Sequence, residues 1–325
     1  MKKRPKVSII IPLYKKTPYF FESVGRCLEL DYPDFEIIIG VDGKTEVSYQ
    51  DKKIRILRSG NLNTGPAEKR DIGIRSAEGD YVAFLDDDSY PEKDWLKQAV
   101  SSIKGKKVAA VCGPGLTPVW DSFSQKITGA ILGSFFGSGP YVYRFARATE
   151  RYVEDYPAYN MLVNKNVLKK IGGFGTKFYG GEDTALCLKI INAGEKILYD
   201  PKMVVYHHRR HFPFEYMRQI GNVGLHRGYF VKAYPKTSFR VSYFLPTLVL
   251  AVLLVLFFVV CFNPPLRPVV ILGCLMVYFA IFIEGVWKKT GLIVSLFLPL
   301  AIVVSHFSYG INFVKGLIFI NKLAR

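Results

Sequence analysis

The C-terminal part of this chain contains long stretches without charged residues, and these stretches constrain its fold more than any other feature. Tyr243–Phe262 is twenty residues long and carries no charge, which matches the roughly 20 apolar residues that cross about 30 Å of hydrocarbon. Residues 268–287, with only Glu284 near their end, and residues 291–314 are further candidates. A buried soluble helix would explain any one of them, but three in succession favour a membrane region with two to three spans.

The distribution of charge divides the chain into three parts. Charged residues interrupt every apolar run before about residue 240. We therefore expect a soluble domain over residues 1–210, a basic juxtamembrane or interfacial segment over residues 211–242, and a transmembrane anchor over residues 243–325. Short basic loops remain in the cytosol, which places the soluble domain there. A third full span would put Lys315 and Lys322 outside, against this rule, so the number of crossings stays open.

The net charge of +17 at pH 7 calls for an anionic partner or surface. Nucleic acid is one interpretation. Basic residues next to a membrane are instead attracted to anionic headgroups by about 1 kcal/mol each, which favours the lipid bilayer as partner and no nucleic acid. The basic residues that cluster there are Arg209, Arg210, Arg218, Arg227, Lys232, Lys236 and Arg240. The five scattered cysteines contain no C-x-x-C pair and fit a reducing, cytosolic environment.

Short β-branched runs alternate with helical patterns before residue 210. Val7–Ile11, Glu36–Val41 and Tyr81–Leu85 are continuous apolar runs, typical of strands that are buried on both faces of a sheet. The alternation predicts an α/β fold with an open mixed, mostly parallel sheet and flanking helices, followed by an all-α transmembrane region. Ligands of such sheets bind at the carboxyl ends of the strands. We interpret Trp120–Tyr159 as an irregular connection.

Three adjacent carboxylates, Asp86, Asp87 and Asp88, directly follow the predicted strand Tyr81–Leu85. Adjacent anions repel one another and favour a counter-ion. Hard divalent cations take oxygen ligands and often share them with substrate phosphates. Asp86 and Asp88 are two residues apart and can face one ion while Asp87 points elsewhere. A solvated acidic turn is the alternative for this tripeptide alone.

Two further groups carry potential chemistry. Glu182 and Asp183 open the predicted helix Thr184–Ala193. Acidic residues there are commonly structural caps, but the two glycines before them let a substrate approach the backbone. His207 and His208 belong either to a basic stretch or, together with the aspartates, to an oxygen-plus-imidazole site for Mn²⁺ or Mg²⁺.

Taken in order, these segments resemble the family-2 glycosyltransferases with a GT-A fold. The resemblance covers roughly residues 5–210, which it implies to be the GT-A catalytic domain. The segments that carry it are Val7–Tyr14, Glu36–Gly43, Asn63–Gly65, Lys69–Gly73, Gly79–Asp88, Ile171–Phe174, Gly181–Thr184 and Val205–His207.

The resemblance implies a role for each matching position. The implied catalytic residues are Asp183, as the base, and Glu182 beside it. The implied ligands of a divalent cation, Mn²⁺ or Mg²⁺, are Asp86, Asp88, His207 and His208. The implied donor-binding residues are Pro12, Tyr14, Asp42, Arg70, Asp86 and Asp87. Asp42 would recognise the nucleobase, and Arg70 would contact the nucleotide.

The implied activity is inverting transfer of one sugar from a nucleotide-diphosphate donor, a UDP-sugar by family analogy, to a polyprenyl-linked saccharide at the cell membrane. No Q-x-x-R-W motif of processive synthases occurs. The tail is similar to that of succinoglycan ExoA-like transferases, which build cell-surface polysaccharide. One alternative is a polyprenyl-phosphate monosaccharide synthase that resembles dolichyl-phosphate mannose synthase. An alternative of another class is a non-catalytic membrane subunit for binding or assembly.

Overall fold

A computed structural model describes residues 4–43, 45–60, 64–176 and 180–323. Asn63, part of one motif quoted above, lies outside the described residues. The chain forms two compact units. The first comprises the residues up to Pro118 together with Ala146–His208, and the second comprises Val119–Phe145 together with Arg209–Leu323. The predicted domain boundaries at residues 210 and 242 stay a prediction.

The strands all belong to the first unit and form two sheets. In chain order they are β1 (Val7–Pro12), β2 (Phe35–Val41), β3 (Ile54–Arg58), β4 (Tyr81–Leu85), β5 (Ser89–Pro91), β6 (Ala110–Cys112), β7 (Gly115–Leu116), β8 (Arg151–Val153), β9 (Asn160–Asn164), β10 (Ile197–Tyr199) and β11 (Val205–His207).

The larger sheet has the strand order β3-β2-β1-β4-β9-β6-β10-β8, and the smaller one β5-β11-β7. In the larger sheet β1, β2, β3 and β4 run parallel, as do β6 and β10. β9 is antiparallel to β4 and β6, and β8 is antiparallel to β10. The predicted mixed, mostly parallel sheet is therefore confirmed.

The helices flank this sheet in the first unit and make up the second. In chain order they are α1 (Pro18–Leu28), α2 (Pro66–Ser76), α3 (Trp95–Lys106), α4 (Phe123–Gly133), α5 (Phe135–Ser138), α6 (Lys165–Ile171), α7 (Glu182–Asn192), α8 (Phe214–Ala233), α9 (Pro235–Ser238), α10 (Val241–Phe262), α11 (Arg267–Trp287) and α12 (Leu292–Ile318).

The core of the first unit lies between the sheet and its helices. β1 and β2 are buried along their whole length, because alternate residues face opposite sides of a strand and both sides of this sheet are covered. Ile9 and Ile37 pack with Phe20 of α1 and Leu96 of α3 in one continuous cluster. The continuous apolar runs of the sequence follow from this burial on both faces.

Two expectations about the rest of the chain have different outcomes. Trp120–Tyr159 is not an irregular connection, because it contains α4, α5 and β8. That prediction was wrong, since Ser122 and Gln125 form a capping box that begins α4. The predicted C-terminal helical region is confirmed: α10, α11 and α12 are each long and apolar enough to cross a membrane.

Candidate active site

The carboxyl ends of three neighbouring parallel strands bring the predicted residues to one edge of the sheet. β1 lies between β2 and β4, so Pro12, Asp42 and Asp86 all lie at this edge, where ligands of open α/β sheets bind. The main-chain N–H of Tyr14 donates a hydrogen bond of 2.9 Å to Oδ2 of Asp87. Asp87 thereby joins the end of β1 to the end of β4.

The small sheet adds a histidine to this edge. β5 and β11 pair antiparallel with His207 opposite Ser89, so Nε2 of His207 lies 2.8 Å from Oδ1 of Asp88. One ligand atom from each of Asp86, Asp88 and His207 lies within 4.8 Å of the others. Two carboxylates and one imidazole form a donor set that Mn²⁺ and Mg²⁺ accept. The residues therefore fit a divalent cation.

His208 does not join this group. Its ring stacks on Tyr19 at a centroid distance of 4.0 Å, and its Nε2 lies 3.0 Å from Oε2 of Glu22. Successive residues of an extended chain point to opposite sides, so His207 and His208 face different surroundings. Of the two candidate histidine ligands, the geometry brings only His207 to the aspartates.

Arg70 of α2 connects the cation ligands to the start of α7. Only 3% of its side chain is exposed, and its Nη2 lies 2.5 Å from Oδ1 of Asp86. Its Nη1 lies 3.5 Å from Oε1 of Glu182 and 3.7 Å from Oδ1 of Asp183. Although burial opposes the charged form, Asp86, Asp183 and Glu182 together raise the pKa of Arg70. One permanently charged guanidinium therefore holds three carboxylates in one site.

The surroundings of Asp183 increase the affinity of its carboxylate for a proton. Burial, together with the negative charges of Glu182 and Asp86, raises the pKa of Asp183 above its usual range, although Arg70 opposes this. Among the described residues, Oδ1 of Asp183 is a buried oxygen without a hydrogen-bond partner. A carboxylate with a raised pKa binds a proton more strongly and is a better general base near neutral pH.

The backbone before α7 depends on glycine. Gly180 and Gly181 have φ angles of 94° and 89°, in the left-handed region that side chains other than glycine rarely adopt. This conformation lets the Gly180 N–H donate a hydrogen bond of 2.8 Å to Oε2 of Glu182. Glu182 is thus fixed by the backbone and by Arg70, while Asp183 keeps an unsatisfied oxygen.

Comparison with known proteins places this arrangement in a family. A family model described as "Glycosyl transferase family 2" matches residues 8–172, about half of the chain. The chain belongs to the family-2 glycosyltransferases. A mannosyltransferase, PcManGT from Pyrobaculum calidifontis, solved in complex with GDP-Man and Mn²⁺, has the same fold, with a TM-score of 0.64 and 18% identity over 98% of this chain and 88% of its own.

Curated relatives of this glycosyltransferase match over different lengths. The dolichyl N-acetyl-alpha-D-glucosaminyl phosphate 3-beta-D-2,3-diacetamido-2,3-dideoxy-beta-D-glucuronosyltransferase of Methanococcus voltae is 24% identical over 96% of this chain and 97% of its own length. The glucosyl-dolichyl phosphate glucuronosyltransferase of Haloferax volcanii is 25% identical over 62% and 69%, respectively. An uncharacterized glycosyltransferase of Haemophilus influenzae is 33% identical, but the match spans only 30% of this chain and 42% of that protein.

Asp42 of this glycosyltransferase is held by Lys69, which belongs to the quoted motif Lys69–Gly73 but was not among the predicted site residues. Oδ2 of Asp42 lies 3.0 Å from Nζ of Lys69, which also donates a hydrogen bond of 2.7 Å to the carbonyl oxygen of Leu13. Oδ1 of Asp42 accepts the Thr64 N–H at 2.9 Å. Lys69 is only 3% exposed and joins the ends of β1 and β2. Its position directly before Arg70 was the available signal.

Asp71 of the glycosyltransferase, also missed as a site residue, shapes the loop below Arg70. Its carboxylate accepts the N–H groups of Phe174 and Gly175 at 2.8 and 2.9 Å, and burial raises its pKa. The Phe174 ring then lies 5.4 Å below the guanidinium of Arg70, within the range of a cation–π contact. Asp71 therefore positions the ring that supports Arg70.

An open cavity of about 430 Å³ adjoins the end of β1 and is lined by Tyr14, Lys15, Lys16, Thr45 and Glu46. Its volume lies in the range of small-molecule sites. Tyr14 is 82% exposed, so its ring is available to a ligand. Lys15 and Lys16 contribute positive charge to the wall of this cavity, and Glu46 contributes one negative charge.

Proposed function

We propose that this glycosyltransferase transfers a sugar, with inversion, from a nucleotide-diphosphate donor to a saccharide carried on a polyprenyl lipid. The observation that carries the proposal is the contact of Arg70 with Asp86 on one side and with Asp183 on the other. It supports the proposal that Asp86, as a cation ligand, and Asp183, as a proton acceptor, act in one site. Inverting transfer uses a proton acceptor for the incoming hydroxyl, and a cation would stabilise the departing diphosphate.

The proposed chemistry is a single displacement. The acceptor hydroxyl oxygen attacks the anomeric carbon, its proton passes to Oδ1 of Asp183, and the bond between that carbon and the diphosphate oxygen breaks. Asp86, Asp88 and His207 would hold a divalent cation, Mn²⁺ or Mg²⁺, which when bound supplies positive charge to the departing diphosphate. Glu182 and Arg70 keep Asp183 in place, and burial keeps its carboxylate basic.

A UDP-sugar is the proposed donor. Asp42 lies at the end of β2 beside Lys69, where its carboxylate can accept a hydrogen bond from a nucleobase N–H. The cavity beside Tyr14 has room for a nucleoside and carries two lysines that favour phosphate. PcManGT, which shares the fold, was solved with a nucleotide sugar and Mn²⁺.

The acceptor is proposed to be lipid-linked for two reasons. The relatives from Methanococcus voltae and Haloferax volcanii are named for dolichyl phosphate-linked acceptors. The chain also carries three helices that are apolar and long enough to cross a membrane. We infer a multi-pass protein of the cell membrane whose catalytic unit is cytosolic, since the chain segment that joins this unit to α10 is rich in Lys and Arg, which favour the cytosolic side. Such an enzyme would serve the assembly of a cell-surface glycan.

The proposal is tested with the purified full-length chain in lipid nanodiscs with Mn²⁺. A panel of UDP- and GDP-sugars is offered with two acceptors, a short polyprenyl phosphate and a polyprenyl-diphosphate saccharide, and the products are identified by mass. We expect one UDP-sugar to extend the saccharide by one unit, with an inverted linkage in the NMR spectrum. Sugar found only on the bare lipid phosphate would instead identify a monosaccharide phospholipid synthase. Retention of configuration would refute the single displacement.

A further inference from the structure

The three apolar helices of the second unit differ in how much of their surface the protein covers. Over its most apolar stretch α10 is 0% buried and α11 is 11% buried, whereas α12 is 50% buried. From residue 251 to residue 280 every residue is exposed or half-buried. α10 and α11 therefore present almost their whole circumference to their surroundings, as lipid-facing helices do, and α12 presents only one side.

The covered side of α12 packs against α4 and α8. Leu298 and Ile302 of α12 belong to one apolar cluster with Ile131 of α4 and Tyr216 of α8. Further along, Gly228 of α8 lies so close to the backbone of Phe313 that an added Cβ would collide with its carbonyl oxygen. Contact at backbone distance fixes α8 along the second half of α12, so the two helices must share one environment.

That environment is not hydrocarbon, because the outward side of α8 carries charged and amide side chains beside the exposed Phe214 and Val223. Its exposed charged and amide residues are Glu215, Arg218, Gln219, Asn222 and Lys232. Charged side chains are excluded from the centre of a bilayer unless they face a protein interior or water. If α8 lay in the centre of the bilayer, these exposed side chains would face neither a protein interior nor water. At the membrane surface, α8 can keep them in water.

The contacts of α12 with the other two helices show how it runs. Near its start, Ser295 lies against Gly285 at the end of α11. Near its end, the Phe313 ring lies 4.9 Å from the Phe244 ring at the start of α10. Eighteen residues of helix separate these contacts, about 27 Å at 1.5 Å per residue.

The C-terminal end of α10 and the N-terminal end of α11 are joined by the short turn at residues 263–266. Arg267, directly after this turn, donates a hydrogen bond of 2.6 Å to the Val260 carbonyl oxygen. α10 and α11 are each about 32 Å long at 1.5 Å per residue. They meet at this turn, while their other ends contact α12 about 27 Å apart, so the two helices form a V. α12 runs across its open end, and the depth of the V is close to the roughly 30 Å of a hydrocarbon core.

We propose that only α10 and α11 cross the bilayer, and that α12 lies in the interface between headgroups and acyl chains, with α4 and α8 covering the side that faces away from the acyl chains. This inference rests on the membrane attachment proposed above. The exposed side of α12 forms one apolar stripe at helical spacing, as interfacial helices do. Its residues are Leu296, Leu300, Val303, Phe307 and Ile311.

This arrangement also resolves the conflict over charge. With two crossings Lys288, Lys289, Lys315 and Lys322 all lie on the side from which α10 enters the membrane, and Arg267 is the basic residue at the opposite turn. The distribution then obeys the positive-inside rule. Phe123 of α4 is also exposed and its ring contacts Phe297 of α12, so two apolar rings are exposed beside this helix.

Depth measurements on the full-length chain in liposomes test the inference. Nitroxide labels are placed one at a time at Val252, in the middle of α10, and at Phe307, in the middle of α12, both exposed apolar positions. Power saturation with oxygen and a water-soluble nickel complex reports the depth of each label. We expect Val252 near the bilayer centre and Phe307 within about 5–10 Å of the headgroup boundary. Equal depth at the two positions would overturn the proposal.

Sidedness provides an independent measurement. Single cysteines replace Lys52 in the catalytic unit, Asn263 at the turn and Lys322 at the end of the chain, in a background where the exposed Cys261 and Cys274 are alanine. A membrane-impermeant maleimide is applied to sealed vesicles of each orientation. We expect Lys52→Cys and Lys322→Cys to react from one side and Asn263→Cys from the other. Reaction of Lys322→Cys together with Asn263→Cys would mean that α12 crosses.

Reaction of all three cysteines from one side would mean that α10 and α11 do not cross, which overturns both this inference and the proposed membrane topology. Sugar transfer is measured on the same vesicles. Because transfer does not depend on which helices cross, a failure of the topology and a failure of the proposed reaction give different results.

Discussion

The imidazole of His207 lies 2.8 Å from the carboxylate of Asp88, although 119 positions of the sequence separate the two residues. The pairing of β5 with β11 brings them together, because His207 is opposite Ser89 in that ladder. The contact extends a carboxylate pair, which acidic turns often contain, into a three-residue group that fits a metal ion.

Replacement of His207 by alanine tests this group. We expect the affinity for Mn²⁺, measured by EPR titration, to fall roughly 10–100-fold, the loss seen even when only a supporting residue of a metal site is removed. His208→Gln is the matched control, because His208 is buried against Tyr19 and Glu22. It should lower thermal stability without weakening Mn²⁺ binding. Equal losses of affinity in both variants would show that neither histidine is a specific ligand.

Arg70→Met tests the central counter-ion. The substitution leaves Asp86, Glu182 and Asp183 close together without their shared positive charge, and removal of one partner from a buried ion pair costs about 3–5 kcal/mol. We expect a markedly lower melting temperature, partly restored by Mn²⁺, which can replace the missing charge near Asp86. Arg75→Met, at an exposed position of the same helix, should change stability by no more than about 0.5 kcal/mol. A stable Arg70→Met variant would contradict the counter-ion role.

The pH dependence of transfer follows from the raised pKa of Asp183. The base must be ionised to accept a proton, so kcat/KM should rise with pH through a pKa above the ordinary aspartate value of about 3.9. Burial and the charge of Glu182 raise that pKa. Glu182→Gln removes the neighbouring negative charge and should move the acidic limb of the profile to lower pH. A limb that stays in place, or moves to higher pH, would mean that Glu182 does not act on Asp183.

Packing of α8 on α12 gives a prediction about glycine. A Cβ at Gly228 would collide with the Phe313 carbonyl oxygen, and overpacking of this kind costs about 1–3 kcal/mol. Gly228→Ala should therefore lower the melting temperature of the detergent-solubilised protein. Gly273→Ala in α11, where an added Cβ would have no atom within 4 Å, is the control and should not lower it, since alanine favours a helix over glycine. The same melting temperature for both variants would show that this close approach is not needed.

The parts of the fold that could be predicted are those whose signals are local. β1 and β2 were found because burial on both faces produces continuous apolar runs. β9 was missed because its apolar part is only Met161–Val163, and its place between β4 and β6 depends on pairing with distant strands. α4 was missed although its capping box, Ser122 with Gln125, is visible in the sequence.

In the candidate site, too, the residues with a local signal could be predicted, and the contacts between distant elements could not. The carboxylates of Asp86, Asp88 and Asp183 could be singled out, because acidic residues after a buried strand and at a helix start need an explanation. That Arg70 connects Asp86 to Asp183 depends on α2 lying between strand ends and α7, which no local pattern encodes. The different surroundings of His207 and His208 likewise require the ladder between β5 and β11.

Asp183→Asn is the most direct test of the account, because it keeps the shape of the side chain and removes its basicity. The measurement is the rate of sugar transfer from the preferred nucleotide sugar to the lipid-linked acceptor, at saturating Mn²⁺, for the variant and the natural chain. We predict a loss of about 10²–10⁴-fold in kcat, the usual contribution of a general base, with donor and Mn²⁺ binding unchanged. Transfer at the natural rate by Asp183→Asn would contradict the account.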